Sequence, residues 1–129
     1  MSTRRASWDD AREDCQRING SLVTISDSSV KSFVYSLLSY DTAWIGAFRP
    51  TGGGSYDVKD GWQWDNGRPW GTFNDWASGQ PGGHWSRKNC ALRMHGMWHA
   101  FEDCEDVHKY VCQKKCKGIF LFFFTIDIA

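Results

Sequence analysis

The sequence has no surplus of charge of either sign: Lys plus Arg and Asp plus Glu number 15 each. A nucleic-acid-binding chain carries a basic excess, so nucleic acid is not an expected partner. Proline is scarce, with three residues in 129, while aromatic residues make up 16%. A disordered chain has the reverse balance, so this one is expected to bury a core. There is no CxxC pair and no finger-like spacing of Cys and His, which argues against a redox pair or a zinc finger. Internal repeats and low-complexity linkers are also missing. The N-terminus, Met1 to Ser7, has positive charge but lacks the apolar stretch of a signal peptide.

What is present fits one domain with one core. Five cysteines, at 15, 90, 104, 112 and 116, are too scattered for metal or redox motifs and suit structural disulfides. Disulfides need an oxidising compartment, so the chain is expected to be secreted or extracellular. Its leader would then be absent from this chain, or the chain would be an internal fragment.

Ser7 opens S-W-D-D, a start resembling a capping box, and Trp8, Ala11, Cys15 and Ile18 follow at helical spacing until Gly20. Asp27 or Ser26 can cap a second helix, with Val30, Phe33, Val34, Leu37 and Leu38 as its expected core face. From Asp41 the pattern changes. Short apolar runs at 43–48, 61–64, 90–94, 97–101 and 109–113 are separated by Gly-rich and Asn/Asp-rich segments, and read as strands and loops. The stretch 65–89 is longer than an ordinary connection, and its aromatics and Pro81 predict an ordered, functional loop. The run Ile119 to Phe124 is too short to span a bilayer by itself. It reads as a strand or sticky tail; a truncated membrane anchor is the sharper alternative and the only membrane attachment expected. The chain thus divides into a domain at 7–116 and a hydrophobic tail at 117–129.

Several blocks in this order resemble the C-type lectin family, over roughly Ser7 to Lys114. S-W-D-D-A-R-E-D-C and S-L-V-T-I-S are similar to its first helix and following turn, and W-I-G-A at Trp44 to Ala47 to its central strand. G-W-Q-W-D-N-G-R-P and F-N-D-W-A-S-G-Q-P resemble its long-loop region; N-C-A-L-R, G-M-W and Y-V-C resemble its closing strands. The resemblance implies an α+β fold, two helices with small antiparallel sheets and a long irregular loop. It also implies a pairing that cysteine counting leaves open: Cys15 with Cys112, and Cys90 with Cys104, leaving Cys116 over. The family's opening strand, which pairs with the closing one, has little counterpart before Ser7, so that edge is expected to be bare.

Calcium-using members of the family hold the ion with an E-P-N or Q-P-D triplet, a Glu two before the third-strand Cys, and a W-N-D triplet. Calcium requires six to eight oxygens. Here the first triplet is Gln80-Pro81-Gly82, the Glu position is Lys88, and the last triplet is Trp98-His99-Ala100. One of these side-chain ligands survives. The segment Trp98 to Cys104 is also a residue longer than the family pattern. Glu102 and Asp103 read as a solvated acidic turn, while Asp75 and Asn89 offer only scattered oxygens.

The four histidines, 84, 95, 99 and 108, show no zinc-site spacing, so no metal and no cofactor is expected. Acids such as Asp9, Asp10 and Glu13 lie on the outer face of a helix, and no nucleophile with a base stands out, so no enzyme is expected. Trp8, Trp44, Trp62, Trp64, Trp76 and Trp98 match core or loop-anchoring positions of the family. Trp70 and Trp85 are less constrained, and Trp85 lies beside Arg87 and Lys88, where an aromatic ring could stack a sugar or anchor a protein.

The function expected is an extracellular recognition module that binds a glycan or a protein without calcium, through Gln80, Trp85, Lys88, Asn89 and His99. The alternative is a structural lectin-like domain of a larger extracellular protein that binds no ligand. The sequence does not specify an oligomeric state.

Overall fold

The computed structural model describes residues 5–39, 41–50, 61–81, 90–100, 104–116 and 119–124, excepting the side chains of 115, 116 and 119–124. The elements, in chain order, are α1 (Trp8–Arg17), β1 (Ser21–Leu22), α2 (Ser28–Leu38), β2 (Ala43–Phe48), β3 (Gln63–Trp64), β4 (Cys90–Met94), β5 (Met97–His99), β6 (Lys109–Cys116) and β7 (Ile119–Phe124). The sheet runs β1-β6-β2-β4-β5, with β3 on β2 and β7 on β6.

Alternation along the strands explains the layering. Ala43, Ile45 and Ala47 of β2, Ala91 of β4 and Val111 of β6 belong to one buried cluster with Val34 and Leu38 of α2. Trp44, Cys90, Leu92, Tyr110 and Cys112 belong to another with Trp8, Ala11 and Cys15 of α1. Successive strand residues point to opposite faces, so the sheet separates α1 from α2 and the long-loop residues.

Ser7 caps α1 by accepting a bond from the Asp10 amide, and Asp27 caps α2 by accepting one from Val30. Both helices differ from the sequence reading in detail. Ile18 is the C-cap of α1 and is exposed. Phe33 and Leu37 are 52% and 41% exposed, so they are not part of the core face. Five apolar residues spread over α2 span more of the helix circumference than one sheet contact can cover. The side that packs carries Val30, Val34 and Leu38 at intervals of four, with Tyr35 beside them.

Among the described residues the sheet is not wholly antiparallel, because β2 pairs with β6 in parallel at Ala43–Lys109 and Trp44–Tyr110. The short β1 pairs Ser21 with Gln113 and Leu22 with Cys112, in a stretch that reads as a turn from sequence. β5 ends at His99; Phe101, expected within that strand, lies outside the described residues. The β6 edge expected to be bare is occupied. β7 pairs with it antiparallel from Val111–Phe124 to Cys116–Ile119, and Ala6 bridges His108. The chain's own C-terminal run supplies the main-chain partners.

Two bridges fasten this arrangement. Cys15–Cys112 joins α1 to β6 across 97 residues of sequence, and Cys90–Cys104 closes a loop of 14. Around the first, Asp14 accepts a bond from the Tyr110 hydroxyl, and Trp8 Nε1 donates to the Ile45 carbonyl at 2.9 Å.

Two glycines are required by close backbone approach. A Cβ on Gly20 would lie 2.4 Å from the Gln113 carbonyl oxygen, while the left-handed turn itself falls on Asn19 at φ 61°. At Gly46, in the W-I-G-A block, a Cβ would lie 2.7 Å from the Val23 oxygen and 2.8 Å from that of Leu22. The Gly46 amide also donates to the Val23 carbonyl at 2.8 Å. Gly46→Ala is therefore expected to destabilise the fold by about 1 to 3 kcal/mol through overpacking, measured by urea denaturation.

Candidate functional site

The long loop is built on an aromatic cluster. Trp64 and Trp98 are buried side by side with ring centroids 5.4 Å apart, and Trp76 lies 5.5 Å from Trp98. Trp70, less constrained in the sequence reading, is drawn in: it stacks on Trp64 at 4.7 Å and lies 6.0 Å from Trp98. Such pairs add about 0.5–1.5 kcal/mol each to simple burial. The loop backbone is tied to β5 as well. Trp98 donates to the Asp75 carbonyl at 2.8 Å, and Ala77 donates to the Trp98 carbonyl at 3.0 Å.

Asp75 connects this loop to α2. One carboxylate oxygen accepts the Tyr35 hydroxyl at 2.6 Å and the other lies 3.1 Å from Lys31 Nζ. Burial and the Asp75 partner push the Tyr35 hydroxyl well above the usual phenol range. Arg93, 6% exposed, sets its guanidinium 4.6 Å from the Tyr35 ring centroid and donates to the Asp41 carbonyl at 2.9 Å. Sequence reasoning placed Asp75 among scattered oxygens and did not find Tyr35, Lys31 or Arg93. Tyr35 follows Val34 on the helix, and its polar tip gives no sequence signal of the partner it reaches.

Gln80 and His99 are brought together at the end of β5. The Gln80 side-chain oxygen accepts the Ala100 amide at 2.9 Å, next to His99, and the Gln80–Pro81 peptide is cis. His99 Nε2 lies 3.2 Å from the Met94 carbonyl, an arrangement in which the ring N–H donates. Burial holds the His99 pKa below the usual imidazole value. Trp85, Lys88 and Asn89, the other expected ligand residues, lie outside the described residues, as do Glu102 and Asp103. His95 is in the two-residue turn between β4 and β5, where it and Gly96 both have positive φ. Among the described residues, no group of three His, Cys, Asp or Glu side chains could hold a metal ion.

A second carboxylate, Asp65, has a structural role. It accepts the Leu22 amide at 2.8 Å and pairs with Arg12 Nε at 2.8 Å, with its side chain 1% exposed. Burial raises its pKa despite these partners.

A sheet with α1 on one face, α2 and a Trp-pinned loop on the other, and two bridges at these positions define a lectin-like recognition fold. Residues 4–114 match the Lectin C-type domain family, and the chain belongs to that family. The chain is 29% identical over 112 residues to the secretory phospholipase A2 receptor of Mus musculus, covering 84% of this chain and 7% of the receptor. It therefore spans a small part of that relative's length. The C-type lectin domain of murine dendritic cell inhibitory receptor 2, solved in complex with N-glycan, superposes with a TM-score of 0.72 at 24% identity, covering 87% of this chain and 84% of that one. A calcium-independent type II antifreeze protein superposes with a TM-score of 0.71 at 18% identity, covering 96% and 83%. At those identities the two structures establish the fold alone.

Proposed function

We propose that this domain is an extracellular recognition module that binds a glycan or a protein at its long-loop pole without calcium and without catalysing a reaction. The observation that carries the reading is the fate of Gln80: the one retained family ligand oxygen accepts the Ala100 amide. Asp75, a described carboxylate of the loop, is likewise committed to Tyr35 and Lys31. Hydrogen bonds within the protein thus fasten the segment that an ion would otherwise organise.

Lys88 adds an electrostatic reason. Two unit charges at about 4 Å repel by about 1 kcal/mol in water, a dication doubles that, and a sheltered loop raises it further. Gly82 and Ala100 supply no side-chain oxygen to compensate. Binding then rests on Trp85 as a stacking or anchoring ring, with Lys88, Asn89, Gln80 and His99 as polar partners. The two disulfides suit an oxidising compartment, which supports an extracellular location. The acids Asp9, Asp10 and Glu13 lie exposed on α1.

The test is calorimetric titration with millimolar calcium, together with a glycan array and an extracellular protein library screened with and without chelator. The expected result is no heat of calcium binding and ligand binding unchanged by chelator, with Trp85→Ala losing the ligand at nearly unchanged melting temperature. A micromolar calcium dissociation constant, or loss of binding on chelation, would overturn calcium independence. Absence of any ligand would favour a structural role within a larger extracellular protein.

A further inference from the structure

We propose that Asn19 is an N-glycosylation site, whose side-chain amide accepts an oligosaccharide as the chain enters the secretory compartment. The inference rests on the extracellular reading above. Of the asparagines at 19, 66, 74 and 89, only Asn19 has Ser or Thr two places on. Asn19-Gly20-Ser21 is the acceptor triplet Asn-x-Ser, with a residue other than proline in the middle.

The fold by itself accounts for two of the three residues. Asn19 follows the C-cap of α1 at φ 61°, a conformation that asparagine tolerates better than most side chains, and Gly20 is required by the Gln113 carbonyl. Neither the turn nor that close approach calls for a hydroxyl at 21, the first position of β1. A three-residue pattern is short, so its place in the structure decides whether it can be used. Asn19 is exposed. The turn is closed by main-chain bonds, from the Asn19 amide to the Gln16 carbonyl at 2.9 Å and from the Gly20 amide to the Cys15 carbonyl at 2.8 Å. Beside it, Gln16, Asn66, Gln113 and Lys114 border a groove of about 290 Å³. The first sugar has room there, and its hydroxyls and acetamido group can exchange hydrogen bonds with side-chain amides.

The order of synthesis presents the acceptor in an open form. In the folded domain Ser21 pairs with Gln113, and Cys15 is bridged to Cys112. Cys112 follows Cys15 by 97 residues, so at about 5–20 residues per second the triplet lacks these partners for roughly 5 to 20 s. A transferase that takes an extended peptide can reach Asn19 in that interval. Folding then leaves the modified residue on the surface, with the sugar outside the core.

In the reaction the Asn19 amide nitrogen bonds to C1 of the N-acetylglucosamine at the end of a lipid-pyrophosphate-linked oligosaccharide. The bond from C1 to the pyrophosphate oxygen breaks, its electron pair leaves with the lipid pyrophosphate, and the amide gives up one proton to the transferase. Nothing is oxidised or reduced.

The experiment translates the full chain behind a cleavable secretory leader in the presence of microsomes, and compares intact mass before and after peptide N-glycosidase. The expected result is loss of the mass of one oligosaccharide, with Asn19 read as Asp in the peptide map afterwards. Ser21→Ala is expected to abolish the modification and Ser21→Thr to keep it. Both variants retain Asn19 and the turn, so a folding defect is not mistaken for a lost acceptor. A chain that loses its leader yet carries no sugar on Asn19, or a Ser21→Ala chain modified to the same extent, would overturn the proposal. Neither result bears on ligand recognition, which stands or falls with the calcium and ligand titrations.

Discussion

Replacing Cys15 and Cys112 together with serine is expected to lower the folding free energy by about 4 to 5 kcal/mol, measured by urea denaturation. The bridge spans 97 residues, and closing a loop of that length restricts the unfolded chain about as much as any cross-link in a single domain can. The Cys90–Cys104 bridge, spanning 14, is expected to contribute about 3 kcal/mol. A domain of this size has about 5 to 15 kcal/mol of net stability, so the first loss alone removes much of it. A loss below about 2 kcal/mol would show that α1 is held mainly by Trp8 and by the Asp14–Tyr110 hydrogen bond.

Trp98→Ala is expected to cost about 3 to 5 kcal/mol, the range for emptying a large aromatic site, and to lower the melting temperature by more than about 10 °C. Trp98 is fully buried, and Trp64, Trp70, Phe73 and Trp76 all lie within 6.1 Å of it, centroid to centroid. Trp98→Phe should recover part of the loss, because the strand pairing to β4 and the backbone bonds to Asp75 and Ala77 remain. Near-ultraviolet circular dichroism, which reports the coupled indoles, should weaken in Trp98→Ala before the far-ultraviolet signal does. Parallel loss of both signals would mean that the aromatic cluster and the sheet unfold as one unit.

These expectations show what the sequence made legible. Cys15 sits on the buried stripe with Trp8 and Ala11, so its place beneath α1 follows from helical spacing, although its partner came only from the family pattern. The strands β2, β4 and β6 were visible because each is an apolar run long enough to register. β1 was not, since two residues carry no periodicity. Helix α2 was overread because apolar character marks every position that could be buried, and the sheet accepts only some of them. At the candidate site, the family pattern singled out Gln80 and His99, which the structure sets near each other at the end of β5. The Asp75–Tyr35–Arg93 network was not legible, as its members are 18 to 58 residues apart and none belongs to a motif. The family pattern left the β6 edge bare because its usual partner is N-terminal; the run at 119–124, read from sequence as a strand or sticky tail, supplies that partner from the other end of the chain.

The Cys15–Cys112 bridge also has a mechanical consequence. Tension applied through the segments that precede Cys15 and follow Cys112 passes directly from one sulfur to the other. Everything between them, including β2, the Trp cluster and the loop that carries Gln80, lies inside a covalent ring and does not extend. Pulling can peel Ala6 from His108 or β7 from β6, but it cannot stretch the long loop while that bond is intact. A domain closed in this way can be strung within a protein under load and still keep its long-loop surface undistorted.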